Sequence, residues 1–433
     1  MGSGRVCILV RRSNSLRFRS NDGRRQLFER LERLKADSIL ALMAQFRADP
    51  SPDKVDLGVG VFRDLGGNTP VLECVRRAEG AVLAGQTTKS YVAAAGRSEF
   101  NHAVTELVLG PSRRAIGLAR LRTVQVPGGC GALRVGAELL AAAAPGAVVH
   151  VSDPTWGNHA PLLGGSGLRL ARYPYYDAAA HRLRFDAMLE ALDAAAAGDI
   201  VLLHACCHNP TGADLEPPQW RAVLEILQRR RLVPLLDLAY QGFGRDLDAD
   251  AEGVRLIAAA VPEALIAVSF SKNLGLYRER VGALIALSAD ADAADAAESH
   301  VLQIARSIYS MPPDHGAAIA ALVLTDPALK AMWLGELAGM RGRIQAMRTL
   351  LAGALRARVG GDSFDFLGRE RGMFSLLGVS PAAVERLRER HHIYMLGDSR
   401  MNLAGVTPDN AERVAGAVAL LLADAPLVQS PRA

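Results

Sequence analysis

The sequence predicts an α/β protein: a large domain with a mostly parallel sheet covered by helices, joined to a smaller α+β domain. Three observations carry this. Between positions 123 and 287, short apolar runs alternate with helical stretches, the pattern of strands linked by crossover helices. Polar residues follow several of those runs, at the strand ends where open α/β sheets bind ligands. After Arg341 the texture changes to a long arginine-spaced helix, then short strands and helices. With 433 residues, half of them apolar, the chain can bury enough core for two domains.

In chain order, residues 1–26 are rich in arginine and serine with little apolar periodicity. That composition fits a disordered tail, a mitochondrial transit peptide or translated upstream sequence, and the tail is preferred. Leu27, Leu31 and Leu34 are spaced as in a helix, and Asp37-Ser38 opens a second one through Phe46. A short strand is expected over 54–61, ending in Gly58-Val59-Gly60, and a helix over 70–83. Sheet strands are expected at 123–126, 147–151, 200–205, 232–236, 264–268 and 282–287, with helices at 131–144, 185–194 and 219–230 between them. The smaller domain should add a helix over 333–357, a strand near 373–376, a helix at 381–390, a strand at 393–396 and a last helix at 409–423. The expected division is 1–26 tail, 27–69 arm and first part of the small domain, 70–339 large domain, 340–424 second part of the small domain, and 425–433 tail.

Composition narrows the function. The formal charge of +5 is misleading, because residues 1–25 hold seven arginines and one acid, leaving 43 basic against 44 acidic residues elsewhere. A nearly neutral body argues against nucleic acid as a partner. No apolar run reaches the roughly 18 residues of a membrane span. The five cysteines (Cys7, Cys74, Cys130, Cys206, Cys207) show no metal or disulfide spacing, and the histidines show no HExxH pairing. These point to a reducing compartment and no structural metal.

Only five of the 50 Lys+Arg residues are lysines: Lys35, Lys54, Lys89, Lys272 and Lys330. Arginine stays protonated, whereas a desolvated lysine can lose its proton and attack a carbonyl. Lys272 follows a predicted strand, beside Ser269 and Ser271, with Arg280 eight residues on. This is the setting of a Schiff-base lysine beside a phosphate site, or else of a solvated surface lysine. Pro127-Gly128-Gly129-Cys130-Gly131 lies between strand and helix, where glycines let a phosphate approach free N–H groups; a tight turn also needs glycine. The spacing is not GxGxxG, which disfavours a dinucleotide. Asp237 ends an apolar run and is costly to bury unless paired with a cation or protonated nitrogen; the alternative is a cap. His208-Asn209-Pro210-Thr211-Gly212 is turn chemistry. Trp156 suits either the core or the stacking of a ring.

Together these residues resemble the aspartate and aromatic amino acid aminotransferases, fold type I pyridoxal 5′-phosphate (PLP) enzymes. The likeness runs from about Leu27 to Ala423. It rests on Cys206-Cys207-His208-Asn209-Pro210-Thr211-Gly212, Asp237-Leu238-Ala239-Tyr240-Gln241-Gly242-Phe243, Ser269-Phe270-Ser271-Lys272-Asn273 and Arg400-Met401-Asn402-Leu403-Ala404-Gly405. The resemblance implies that Lys272 carries the cofactor and shuttles the proton, and that Asp237 keeps the pyridinium nitrogen protonated. Tyr240 and Asn209 would bond its phenolic oxygen, and Trp156 would stack on its ring. Arg280, Ser269, Ser271 and the N–H groups of Gly129 and Cys130 would hold its phosphate, joined by Tyr91 from the second subunit of a homodimer. Arg400, with Gly60 and Asn209, would clamp the α-carboxylate, and Arg306 would read a side-chain carboxylate across the dimer interface.

The implied activity is ping-pong transamination between an aromatic amino acid or aspartate and 2-oxoglutarate, in the cytoplasm, or in the mitochondrial matrix if 1–26 is a transit peptide. Other PLP chemistry (β-elimination, decarboxylation) and a non-catalytic PLP-binding protein are the alternatives. Two departures stand out. Cys130 replaces the family's Thr or Ser, and Met311 replaces Asn or Ser on the substrate side. Phe270 and Arg400-Met401 lean towards the aromatic branch, whereas Asn273, His315 and Asn402 lean towards the aspartate branch.

Overall fold

A computed structural model of the chain describes residues 27–34 and 37–424. The tails expected at 1–26 and 425–433 lie outside the described residues. Seven strands build the central sheet: β1 (Leu121–Pro127), β2 (Val148–Asp153), β3 (Arg169–Pro174), β4 (Ile200–His204), β5 (Val233–Leu238), β6 (Ala264–Ser269) and β7 (Val281–Leu287). Their spatial order is β1-β7-β6-β5-β4-β2-β3. Neighbours are parallel except β7, which runs antiparallel to both β1 and β6. Both faces are covered, so the central strands are apolar almost throughout. Val124, Leu202, Leu235 and Leu284 enter one core, and Leu203, Leu236, Ile266 and Ile285 enter the other.

Six helices matter to the site: α1 (Ser38–Ala48), α2 (Glu73–Gly85), α3 (Gly128–Ala143), α4 (Ala291–Ile308), α5 (Pro327–Val359) and α6 (Pro408–Asp424). Asp37 caps α1 by accepting from the N–H groups of Ile39 and Leu40. The 33 residues of α5 make a rod about 50 Å long. Near its start the buried Trp333 donates its indole N–H to the Asn273 carbonyl, one residue past Lys272. Further along, Arg343 donates to the carbonyls of Ala404 and Val406, just past Arg400-Met401-Asn402. Three two-stranded sheets lie apart from the large one: Val55–Asp56 parallel to Ile393–Tyr394, Phe374–Leu376 antiparallel to Arg400–Asn402, and Tyr176–Asp177 antiparallel to Arg182–Leu183. Among the described residues no single helix is long and apolar enough to cross a membrane.

The expected strand at 54–61 shrinks to Val55–Asp56, because the Asp56 carboxylate accepts from the Gly58 N–H and turns the chain. The helix expected from Leu27 is a single 3-10 turn, Leu27–Arg30. Edge strand β3 and the helices Ser98–Leu109, α4 and His315–Thr325 are additions to the sequence reading.

Candidate active site

The site forms where β1 and β6 end and the antiparallel β7 begins. In the register of the sheet, Pro127 at the close of β1 faces Val281, and Ser269 at the close of β6 faces Gly282. Gly128, with φ +69°, opens α3 there. A Cβ on it would fall 2.5 Å from the Arg280 guanidinium, so glycine allows that side chain to lie against the start of the helix. Arg280 Nη1 donates to the Ser271 hydroxyl at 3.2 Å, and the Ser269 hydroxyl donates to Ser271 at 3.2 Å. Among the described residues Arg280 has no carboxylate partner. With the first N–H groups of α3, from Gly129 and Cys130, these residues form a cradle for an anion. The Cys130 thiol is half-buried and accepts a long 3.7 Å contact from the Asn158 amide.

Lys272 stands in the turn after β6, half-buried, with its Nζ 5.6 Å from the ring centres of both Tyr240 and Tyr277. Burial first, and then the Arg280 charge, lower its pKa to about 8, against the pull of Cys130 and Asp237. Asp237 is buried near the end of β5, inside the strand rather than after it. Burial pushes its carboxyl up, but the hydrogen bond from His159 and the charges of His159 and Lys272 outweigh this and hold it below its ordinary value.

Arg400 is buried on the small sheet that pairs Phe374–Leu376 with Arg400–Asn402. It donates to Asn209 Oδ1 at 3.2 Å and to the Gly58 carbonyl at 3.1 Å, while its Nε has no partner among the described residues. The Phe374 ring lies 4.4 Å from its guanidinium carbon. Gly60 makes room for that ring, since a Cβ there would come within 2.8 Å of it. One cavity of about 210 Å³ is lined by Gly60, Gly129, Cys130, Trp156, Asn209, Asp237, Tyr240, Ser269, Ser271, Lys272, Arg280 and Arg400.

A family model described as aminotransferase class I and II matches residues 52–418. The chain belongs to that family. An aromatic-amino-acid aminotransferase of Paracoccus denitrificans is 48% identical over 382 residues, 88% of this chain and 96% of that protein. An aspartate aminotransferase of Escherichia coli K12 is 44% identical over 396 residues, 92% of this chain and 100% of its own. The crystal structure of a Burkholderia pseudomallei aromatic-amino-acid aminotransferase, covalently bound to pyridoxal phosphate, matches with a TM-score of 0.89 at 44% identity, covering 92% of this chain and 100% of that one.

In this aminotransferase two expected site residues lie outside the cavity. Tyr91 is 88% exposed, and the exposed Arg306 bonds Ser310 at the end of α4. Their loops touch, because the Val92 N–H donates to Met311 Sδ at 3.3 Å. The sequence reading missed residues that the fold brings in. His159 is fully buried, 3.0 Å from Asp237, and Thr155 links it (2.8 Å) to His204 (3.2 Å). Burial and His159 lower the His204 pKa to about 3, so that ring is neutral. Ile39 of α1 and Phe374 also line the cavity. Cys206 and Cys207 are buried free thiols. With Asp250 they are the cluster of metal-ligating type among the described residues, and both Asp250 oxygens already accept backbone N–H groups.

Proposed function

We propose that the chain catalyses PLP-dependent transamination between an aromatic L-amino acid, L-aspartate or both, and 2-oxoglutarate, giving the 2-oxo acid and L-glutamate. The observation that carries this is the convergence on one cavity of a half-buried lysine amine, an anion cradle without a carboxylate, and a buried guanidinium with an unpartnered nitrogen. That donor set fits PLP: phosphate in the cradle, aldehyde at Lys272, ring nitrogen at Asp237.

When bound, PLP supplies an electron sink for the charge released as the substrate Cα–H bond breaks. Lys272, with its amine partly neutral near pH 8, would hold the cofactor by its aldehyde carbon and would carry the proton taken from the substrate Cα. Asp237, kept anionic by His159, holds the proton on the ring nitrogen. Arg280, Ser269, Ser271 and the N–H groups of Gly129 and Cys130 bind the phosphate. Tyr240 and Asn209 bond the phenolic oxygen, and Trp156 covers one face of the ring. Arg400 binds the α-carboxylate beside Asn209 and Gly60, using the Nε that has no other partner.

We also propose a homodimer, with Tyr91 of the partner subunit on the phosphate and Arg306 of the partner subunit on the side-chain carboxylate. The exposure of both residues and the contact between their loops support this. The proposed division puts a PLP-binding domain at 70–339 and a small domain at 27–69 with 340–424. A cytoplasmic location is proposed from the bacterial origin of the two relatives.

The test is the visible absorption spectrum of the purified protein. A PLP chromophore should bleach with phenylalanine or aspartate and return with 2-oxoglutarate. A protein that stays colourless after added PLP would overturn the proposal.

A further inference from the structure

Arg348 is fully buried on α5, among the loop that precedes the strand Phe374–Leu376. Its guanidinium donates to the carbonyls of Leu367, Arg371, Gly372 and Phe374 and to the Ser375 hydroxyl, at 2.5–3.2 Å. Carbonyls satisfy its N–H groups but not its charge, and a buried cation without a counter-charge is strongly disfavoured. Glu370 supplies that charge. Its Oε2 lies 3.9 Å from Arg348 Nη1, with the Ser375 hydroxyl between them, accepting from Arg348 and donating to Glu370. The Tyr176 hydroxyl donates to the other Glu370 oxygen at 2.5 Å.

This cluster lies directly behind the cavity. The Phe374 carbonyl is held by Arg348, and the Phe374 ring covers Arg400. Arg371, in the same loop, donates its N–H to the Gly212 carbonyl at 2.7 Å. Gly212 has φ +73°, and a Cβ there would meet the Phe374 oxygen at 2.3 Å. It stands three residues past Asn209, which bonds Arg400 from its other end. Both supports of Arg400 are therefore tied to the loop that Arg348 and Glu370 hold.

We infer that Glu370 is a positioning residue for the substrate-carboxylate clamp: by neutralising Arg348 it keeps Phe374 and the Asn209 loop in place around Arg400. This rests on the proposed reading of Arg400 as the α-carboxylate ligand.

Glu370 titrates in the working range. Burial raises its pKa to about 7 against the opposing pull of Arg348, Ser375 and Tyr176, and Asp214 adds to the rise. Asp214, beside Gly212, is itself raised to about 6, chiefly by burial. A carboxyl raised in the folded state contributes stability that is complete below its unfolded pKa and is lost as pH rises through about 7. The ionised form that neutralises Arg348 therefore predominates only above pH 7.

The experiment compares binding of 3-phenylpropionate, phenylalanine without its amine, to the PLP-loaded wild type and to Glu370→Gln at pH 6 and pH 8. At pH 8 the variant should bind about fivefold more weakly, and at pH 6 within about twofold, because the wild-type carboxyl is then also neutral. The ratio cancels titrations that are independent of Glu370, and cofactor absorbance should be unchanged. Equal ratios at the two pH values, or no loss at pH 8, would overturn the inference. If Glu370→Gln does not fold, Tyr176→Phe serves instead. Removing that hydrogen bond should move the wild-type transition to higher pH, and an unmoved transition overturns the inference equally. Arg400→Lys separates the two readings: unchanged affinity there refutes the role of Arg400, while weakened affinity with a flat Glu370→Gln ratio refutes only the role of Glu370.

Discussion

The proposed role of Lys272 needs its amine free of a proton, and its surroundings bring that condition to about pH 8. Lys272→Ala should lower kcat by roughly 10⁴-fold or more, since both attack and proton transfer are lost. Steady-state assays would check this, together with loss of the spectral change on adding amino acid. Arg306→Ala should reduce kcat/KM for aspartate and 2-oxoglutarate by about 10²-fold and that for phenylalanine by less than about threefold, because only dicarboxylates use the charge. Equal losses would sink that assignment. Lys272, Asp237, Arg280 and Arg400 were legible in the sequence because each sits in or beside a motif at the edge of an apolar run. His159 and His204 were not. They come from different segments and meet only through the order of the sheet, and no spacing in the chain marks a histidine as the support beneath a carboxylate. Phe374, Arg348 and Glu370 were also invisible, since a core aromatic and a buried pair look like any apolar or charged residue in one dimension.

At the scale of elements, α2 begins at Glu73 rather than at Pro70, and the cause is tertiary. Leu72 at its N-cap has no side-chain acceptor, so the Glu336 carboxylate of α5 reaches across to the N–H groups of Glu73 (2.6 Å) and Cys74 (3.1 Å). Glu336→Ala should destabilise the protein by about 1 kcal/mol, as loss of a helix cap does. Chemical denaturation would measure it, and Glu336→Gln should recover part of the loss. No local pattern announces a cap supplied from so far along the chain. The central strands were readable because burial on both faces leaves them uniformly apolar. Edge strand β3, Arg-Leu-Ala-Arg-Tyr-Pro, was missed because arginines at 169 and 172, on opposite faces, interrupt the apolar run and its last residue is proline.

For the whole molecule, the proposed exchange of Tyr91 and Arg306 between subunits has a direct test. Lys272→Ala and Arg306→Ala chains, each nearly inactive towards aspartate, should regain activity when unfolded together and refolded. Only hybrid dimers carry a complete site, one of their two, so about a quarter of wild-type activity is expected. No recovery would refute shared sites. The two-part architecture was legible as a change in texture after Arg341. The role of α5 as one rod reaching from the Lys272 turn to the Arg400 strand was not, because only the packed fold puts Trp333 and Arg343 at those two ends.

The reversal of β7 has a consequence for how the chain tolerates change in length. The backbone leaves the sheet at Ser269 and re-enters at Val281 on the same edge, with the Phe270 N–H bonded to the Val281 carbonyl. Segment 270–280 is thus pinned at both ends and works as a ruler between the Lys272 amine and the Arg280 guanidinium. A crossover connection elsewhere in the sheet can grow by a turn of helix without disturbing the cavity. A single residue added between 273 and 279 would shift one charge against the other by about 3 Å, separating the two groups proposed to take the aldehyde and the phosphate.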